Sequence, residues 1–225
     1  MKFVKLYETY LNERSGYRSL VGQISKDIMI AWVRDWNQGD KSGWYRSNYD
    51  FPLELELLAE IKFTNTNKLE INGDARAGNR YETDDNGEFY EAEIGIFFEV
   101  GRDMLPRYWE EIYYQINYVL RHEIEHLTQD GVNWKSGKED KDNIDLIMRE
   151  LINRKLLPDY TYLMLPKEIP ATIQGLSLYS KRKKVPLVDV VDTFLNDNKL
   201  KPEHKEEILI KWREAVKKIG GIPEF

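Results

Sequence analysis

Apolar residues recur along this chain first at helical spacing, then at every second position, then at helical spacing again. Val21, Ile24, Ile28 and Ala31/Trp32 keep to one helical face, so residues 1–37 read as helix. Asn37-Gln38-Gly39-Asp40 closes that segment, and residues 38–52 read as a loop broken by Gly39, Gly43 and Pro52. From there the period is two. Leu53, Leu55, Leu57, Ala59, Ile61 and Phe63 face one way, and Glu54, Glu56, Glu60 and Lys62 the other, with Leu58 the exception. This is a half-buried strand. Thr64-Asn65-Thr66-Asn67 reads as a turn, and Leu69, Ile71, Gly73 and Ala75 repeat the alternation. After a polar stretch with Asp85-Asn86-Gly87 as turn signal, Tyr90, Ala92, Ile94, Ile96, Phe98 and Val100 point inward against Glu91, Glu93 and Glu99. Three amphipathic strands in succession predict an antiparallel meander with one wet face.

The rest of the chain returns to helical spacing. Residues 103–129 form the longest such stretch, with Asp103 as cap, Pro106 in the opening turn and Gly131 as terminator. Trp109, Ile112, Ile116, Val119/Leu120, Ile124 and Leu127 form its buried stripe. Residues 131–143 are charged and Gly-containing, and read as a loop. Helices follow over 144–157, from Pro166 to about Lys184, over 186–196 and over 202–219, the last three each opening on proline. Helices, then strands, then helices predict an α+β fold. The expected organisation is a single domain over 1–225. Within it, residues 1–52 are mainly helical, 53–130 hold the sheet and the long helix, and 131–225 are helical.

Composition narrows the chemistry. The net charge of −6 argues against nucleic acid as the main partner. With no cysteine there is neither a disulfide framework nor a thiolate metal site, so any metal is held by nitrogen and oxygen. Met1-Lys2-Phe3-Val4-Lys5-Leu6-Tyr7-Glu8 has neither the apolar core nor the cleavage site of a signal peptide, and no apolar run reaches membrane-spanning length. A soluble, cytoplasmic protein with no membrane partner is expected.

His122-Glu123-Ile124-Glu125-His126 lies within the helical stretch 103–129 and takes two of the chain's three histidines. Two imidazoles one helical turn apart project to the same side and can share one metal ion, and the carboxylate beside the first can reach a water on that metal. Catalytic zinc takes three protein ligands plus water, so a third must come from elsewhere. The extended pattern with a glycine three residues after the second histidine and a third histidine three further on is absent, because Gln129 and Val132 hold those positions. That argues against the metzincin arrangement. Glu168, in Leu165-Pro166-Lys167-Glu168-Ile169-Pro170-Ala171, is the better candidate for third ligand. It shares a helical face with Thr172, Gly175 and Tyr179, and Gly175 lets a second helix approach the histidine helix closely. Asp130, Asp145 and Glu150 are rivals, and Glu150 is also a candidate to hold a histidine N–H.

These residues resemble the gluzincin type of zinc metallopeptidase. More narrowly, Val119-Leu120-Arg121-His122-Glu123-Ile124-Glu125-His126, Leu165-Pro166-x-Glu168-Ile169-x-Ala171 and Tyr179-Ser180-Lys181 resemble metallopeptidases encoded by tailed bacteriophages, over roughly residues 88–200. The resemblance implies a zincin-like α+β fold and a zinc-dependent peptidase, acting on a peptide or protein in host cytoplasm or virion. It implies one Zn2+ per chain held by His122, His126 and Glu168, with Glu123 as general base. It also implies that an edge strand of the sheet binds substrate, for which strand 88–100 is the candidate. Tyr160 and Tyr162 are candidates to stabilise the transition state, ahead of Arg154; Tyr179, about 16 Å along the helix from Glu168, is too far. Two other readings compete: a non-catalytic structural or interaction protein that keeps the scaffold, and a zinc hydrolase of a non-peptide amide.

Blander readings stand beside these. Glu168 can be a first-turn carboxylate favoured by the helix dipole. His204, in the charged opening turn of the last helix, reads as a surface residue, and Lys181-Arg182-Lys183-Lys184 as a solvated helix end.

Overall fold

The computed structural model describes residues 2–50, 54–65, 69–78, 83–84, 87–88, 91–101, 107–128, 132–133, 138–139, 144–219, 222 and 225. It opens on α1 (Lys2–Gln38). The helix ends where the sequence predicts. Gly39 takes a positive φ of 85°, its N–H bonds Trp36 O at 3.0 Å, and the Asp40 N–H reaches back to Asp35 O at 3.2 Å. This paired closure needs a left-handed residue, and glycine adopts that conformation without a Cβ penalty.

The sheet has four strands: β1 (Ser42–Asp50), β2 (Glu54–Thr64), β3 (Leu69–Gly78) and β6 (Glu91–Gly101), in the order β1-β2-β6-β3. Short two-residue pairs, β4 (Thr83–Asp84) with β5 (Gly87–Glu88) and β7 (Val132–Asn133) with β8 (Lys138–Glu139), stand apart from it. Two expectations are corrected here. Residues 42–50, read as loop, form an edge strand antiparallel to β2. Gly43 is no breaker; a Cβ there would meet Ile61 at 3.0 Å and Trp32 at 3.1 Å, so the glycine lets β1 pass close to α1. The sheet is also no meander, because β6 inserts between β2 and β3, parallel to the first and antiparallel to the second. The inward sets of β2 and β6 survive this change of topology. Leu57, Ala59, Ile61 and Phe63 pair with Ile94, Ile96, Phe98 and Val100, and Ile71, Gly73 and Ala75 of β3 with Phe98, Ile96 and Ile94. Period-two patterning specifies a face and leaves neighbour order open.

Behind that face lie α1 and α2 (Trp109–Thr128). Val21, Ile24, Ile28, Trp32, Ile112, Ile116, Leu120 and Ile124 are fully buried there, with the Trp32 ring edge-on to Phe98. Asp103, Pro106, Asp130, Gly131 and most of the 131–143 stretch lie outside the described residues. The second core is helical: α3 (Ile144–Asn153), a 3-10 segment (Asp159–Met164), α4 (Glu168–Lys183), α5 (Leu187–Asp197) and α6 (Pro202–Ile219). It gathers Ile173, Leu176, Val191, Leu195, Ile208 and Trp212. α4 is buried along nearly its whole length, as expected of a helix flanked on every side. One face meets α2, the other α5 and α6. The chain is therefore a mixed α+β fold whose two cores share the α2–α4 contact. Among the described residues no helix is long and apolar enough to cross a membrane.

Candidate metal centre

The α2–α4 crossing is close because Gly175 has no side chain. A Cβ on Gly175 would stand 2.7 Å from the Tyr118 ring and 2.9 Å from the Tyr118 carbonyl oxygen. The α4 backbone therefore packs directly on α2, the close approach that a glycine at 175 allows. Before α4, the Lys167 N–H donates to Asp145 Oδ2 on α3 at 3.0 Å, which seats the start of the helix. Glu168, the first residue of α4, is then delivered against the histidine face of α2.

The resulting cluster is compact. His122 Nε2 and His126 Nε2 are 3.0 Å apart. Glu168 Oε2 lies 3.4 Å from His122 Nε2 and Oε1 lies 3.3 Å from His126 Nε2. Glu123 closes the group, with one donor atom each of His122, Glu123 and His126 within 4.8 Å of one another. Ligand atoms on a tetrahedral zinc with bonds of about 2.0–2.1 Å sit about 3.3–3.4 Å apart. The donor atoms are already near that spacing.

The electrostatics point the same way. Glu168 is 1% exposed, yet it is held ionised. Burial by itself raises its pKa, but the two imidazoles that face it outweigh this and hold it far below the usual carboxylate range. Burial lowers the pKa of His126, and the facing Glu168 more than restores it. Two ring nitrogens at 3.0 Å, both facing a carboxylate, call for a proton or a metal cation between them. Glu168 Oε2 is fully buried and accepts no hydrogen bond among the described residues. A buried anionic oxygen without a donor is costly in a structure held by hydrogen bonds alone, and is what a metal ligand looks like before the metal is counted. His122, Glu123 and His126 thus form a group able to bind a metal, and the donors present fit zinc.

Around this group stand residues that the sequence left in doubt or did not single out. Tyr162 donates to Glu168 Oε1 at 2.8 Å. Burial, then the charge of Glu168, pushes its phenol up to about 12, so it remains a proton donor. Arg149, absent from the sequence-based candidates, donates through Nη2 to the same Oε1 and through Nη1 to the Tyr162 hydroxyl at 3.0 Å. One signal was available. Asp145, Arg149 and Ile152 share a face of α3, and an arginine among inward positions needs a buried anion. Tyr118 packs its ring 6.0 Å from that of His122, and burial, with Glu168 and Glu123, keeps its hydroxyl protonated.

Other candidates are placed elsewhere. Tyr160 stacks on His204 with centroids 3.9 Å apart, and no contact joins it to the histidine pair among the described residues. His204 is accordingly a half-buried packing partner. Glu150 faces solvent and pairs with Arg154, which removes both from the histidines. Asp145 is occupied at Lys167. Tyr179 donates to Glu111, beside Lys183, away from Glu168. Strand 88–100 is corrected as well: β6 is paired on both sides, and among the described residues the edge strand beside α2 is β3.

No protein-family model matches the chain, and neither a curated protein nor a solved structure is significantly similar to it.

Proposed function

We propose that the chain is a zinc-dependent peptidase of gluzincin type with a zincin-like fold, in which His122, His126 and Glu168 hold one zinc ion and Glu123 is the general base. The observation that carries this reading is Glu168 of α4 spanning both imidazoles of α2 at 3.3 and 3.4 Å with Glu123 alongside. Zinc held there supplies Lewis acidity and brings the pKa of its water to about 7. Glu123, 7% exposed on the histidine face, takes the proton of the attacking water and hands it to the leaving amine nitrogen. Its neighbours fix its place: α2 is packed on the sheet side by Ile124 and Leu120 and on the α4 side by Gly175. The substrate class is an extended peptide added as a strand beside β3, an edge strand of the sheet among the described residues. Tyr162 donates its hydroxyl hydrogen bond to Glu168, which assigns it to the ligand and not to the developing oxyanion.

Elemental analysis of protein purified without chelators is expected to return about one zinc per chain, as a mononuclear site requires. Glu123→Gln is expected to keep the zinc and lose about 10²–10⁴-fold in hydrolysis of a peptide library, the range for a general base. Absence of stoichiometric metal sinks the reading. Bound zinc with no peptide cleaved, and no effect of Glu123→Gln, leaves the non-catalytic scaffold.

A further inference from the structure

The two oxygens of Glu168 are not equivalent. Each oxygen faces one imidazole, Oε1 that of His126 at 3.3 Å and Oε2 that of His122 at 3.4 Å. Oε1 in addition accepts from Arg149 Nη2 and from the Tyr162 hydroxyl, and those two donors are bonded to each other at 3.0 Å. Oε2 is fully buried and accepts no hydrogen bond among the described residues. An ionised carboxylate has lone pairs on both oxygens, and leaving one oxygen bare costs more the deeper it lies. The asymmetry is built by three elements: α3 supplies Arg149, the 3-10 segment supplies Tyr162, and α4 supplies Glu168. Arg149 is long, and its side chain remains 35% exposed, so it reaches the carboxylate from the rim and is not required to fill the core.

We infer that Arg149, with Tyr162, is a positioning group that engages Oε1 of Glu168 and so reserves Oε2 as the single oxygen offered to the metal. This deepens the proposed function and rests on it. Two physical consequences follow. With Oε1 tied down, Glu168 cannot chelate through both oxygens, and a coordination position is kept for water. The guanidinium also draws charge from the carboxylate, so less of it is donated to the metal and the metal stays a stronger Lewis acid. Bidentate recognition of this kind suits arginine, whose fork contacts the carboxylate and the phenol together; lysine supplies the charge at one point only.

The test uses the full chain loaded with cobalt(II), whose visible absorption is strong in four-coordinate sites and weak at higher coordination number. The wild type is expected to give the strong spectrum. Arg149→Gln is expected to lose at least about two-fold of that intensity as Glu168 swings to use both oxygens and the site expands beyond four ligands. Tyr162→Phe changes it less and in the same direction, and Arg149→Lys recovers some of it. Circular dichroism of the metal-free variants checks the fold, and Tyr162→Phe keeps the test open where Arg149→Gln does not fold. A role of Arg149 in packing alone lowers the melting temperature and leaves the spectrum of the loaded protein as it was. Wild-type protein that takes up cobalt, with Arg149→Gln and Tyr162→Phe spectra unchanged in intensity, overturns this inference and leaves the proposed function standing. Wild-type protein that takes up neither cobalt nor zinc overturns both.

Discussion

A buried carboxylate needs a reason to stay charged, and at Glu168 four side chains provide it: the two imidazoles, Arg149 and Tyr162. Removing the carboxylate should therefore be felt first as loss of metal. Residues that only orient a ligand typically cost 10–100-fold in affinity when removed, so we expect Glu168→Ala to weaken zinc retention by more than about 100-fold. Glu150→Ala should leave it unchanged, because Glu150 lies on the surface with Arg154. Competition with a chromogenic chelator measures both, and equal effects would remove Glu168 from the ligand set. At this scale the sequence was informative about types and poor about partners. Two histidines and a glutamate at helical spacing declare a shared face before any fold is known. Tyr160 and Tyr162, two residues apart in the 3-10 segment, could not be separated by pattern. Packing turns one onto His204 and the other onto Glu168. Arg149 carried only the weak signal of a charge on an inward face.

Elements were legible where a single period governed them. α2, α5 and α6 begin or end within a few residues of their expected limits, since proline, glycine and apolar spacing act locally. β1 was missed for the opposite reason. Its sequence, Ser42–Asp50, has glycine and polar residues and no clean alternation, and it is a strand because β2 offers it an edge. The α2–α4 crossing rests on one position. Gly175→Ala places a methyl carbon under 3.0 Å from the Tyr118 ring and backbone, and the backbone oxygen cannot swing aside. The two helices must separate, at a cost of about 1–3 kcal/mol by analogy with other overpacked sites. We expect a lower melting temperature together with weaker zinc binding, because Tyr118 leans on His122 and Glu168 rides on the same helix as Gly175. An alanine variant as stable and as metal-competent as the parent would show that the crossing is looser than described.

Across the whole molecule, the donor residues come from two cores. His122 and His126 belong to the helix packed on the sheet, and Glu168 to the helix at the centre of the helical half. A metal held at their junction would tie the halves together. Binding to the native state alone stabilises by about 2.7 kcal/mol at a free concentration 100 times Kd. For a chain of this length that is about 5–11 °C in Tm. Calorimetry of chelator-treated and zinc-loaded protein should show this rise, and Glu168→Ala should abolish most of it. A rise that survives in Glu168→Ala would place the metal elsewhere.

The sequence by itself determined which faces are apolar, where most helices start and stop, and that two imidazoles and a carboxylate share one side of a helix. These are short-range matters, decided by side-chain period and backbone preference within a few residues. Only the tertiary structure decided the order of the strands, the place of β3 at the sheet edge among the described residues, and the meeting of Arg149 and Tyr162 at one oxygen of Glu168. Those depend on which surfaces meet across long stretches of chain, and a period carries no information about the partner it will face.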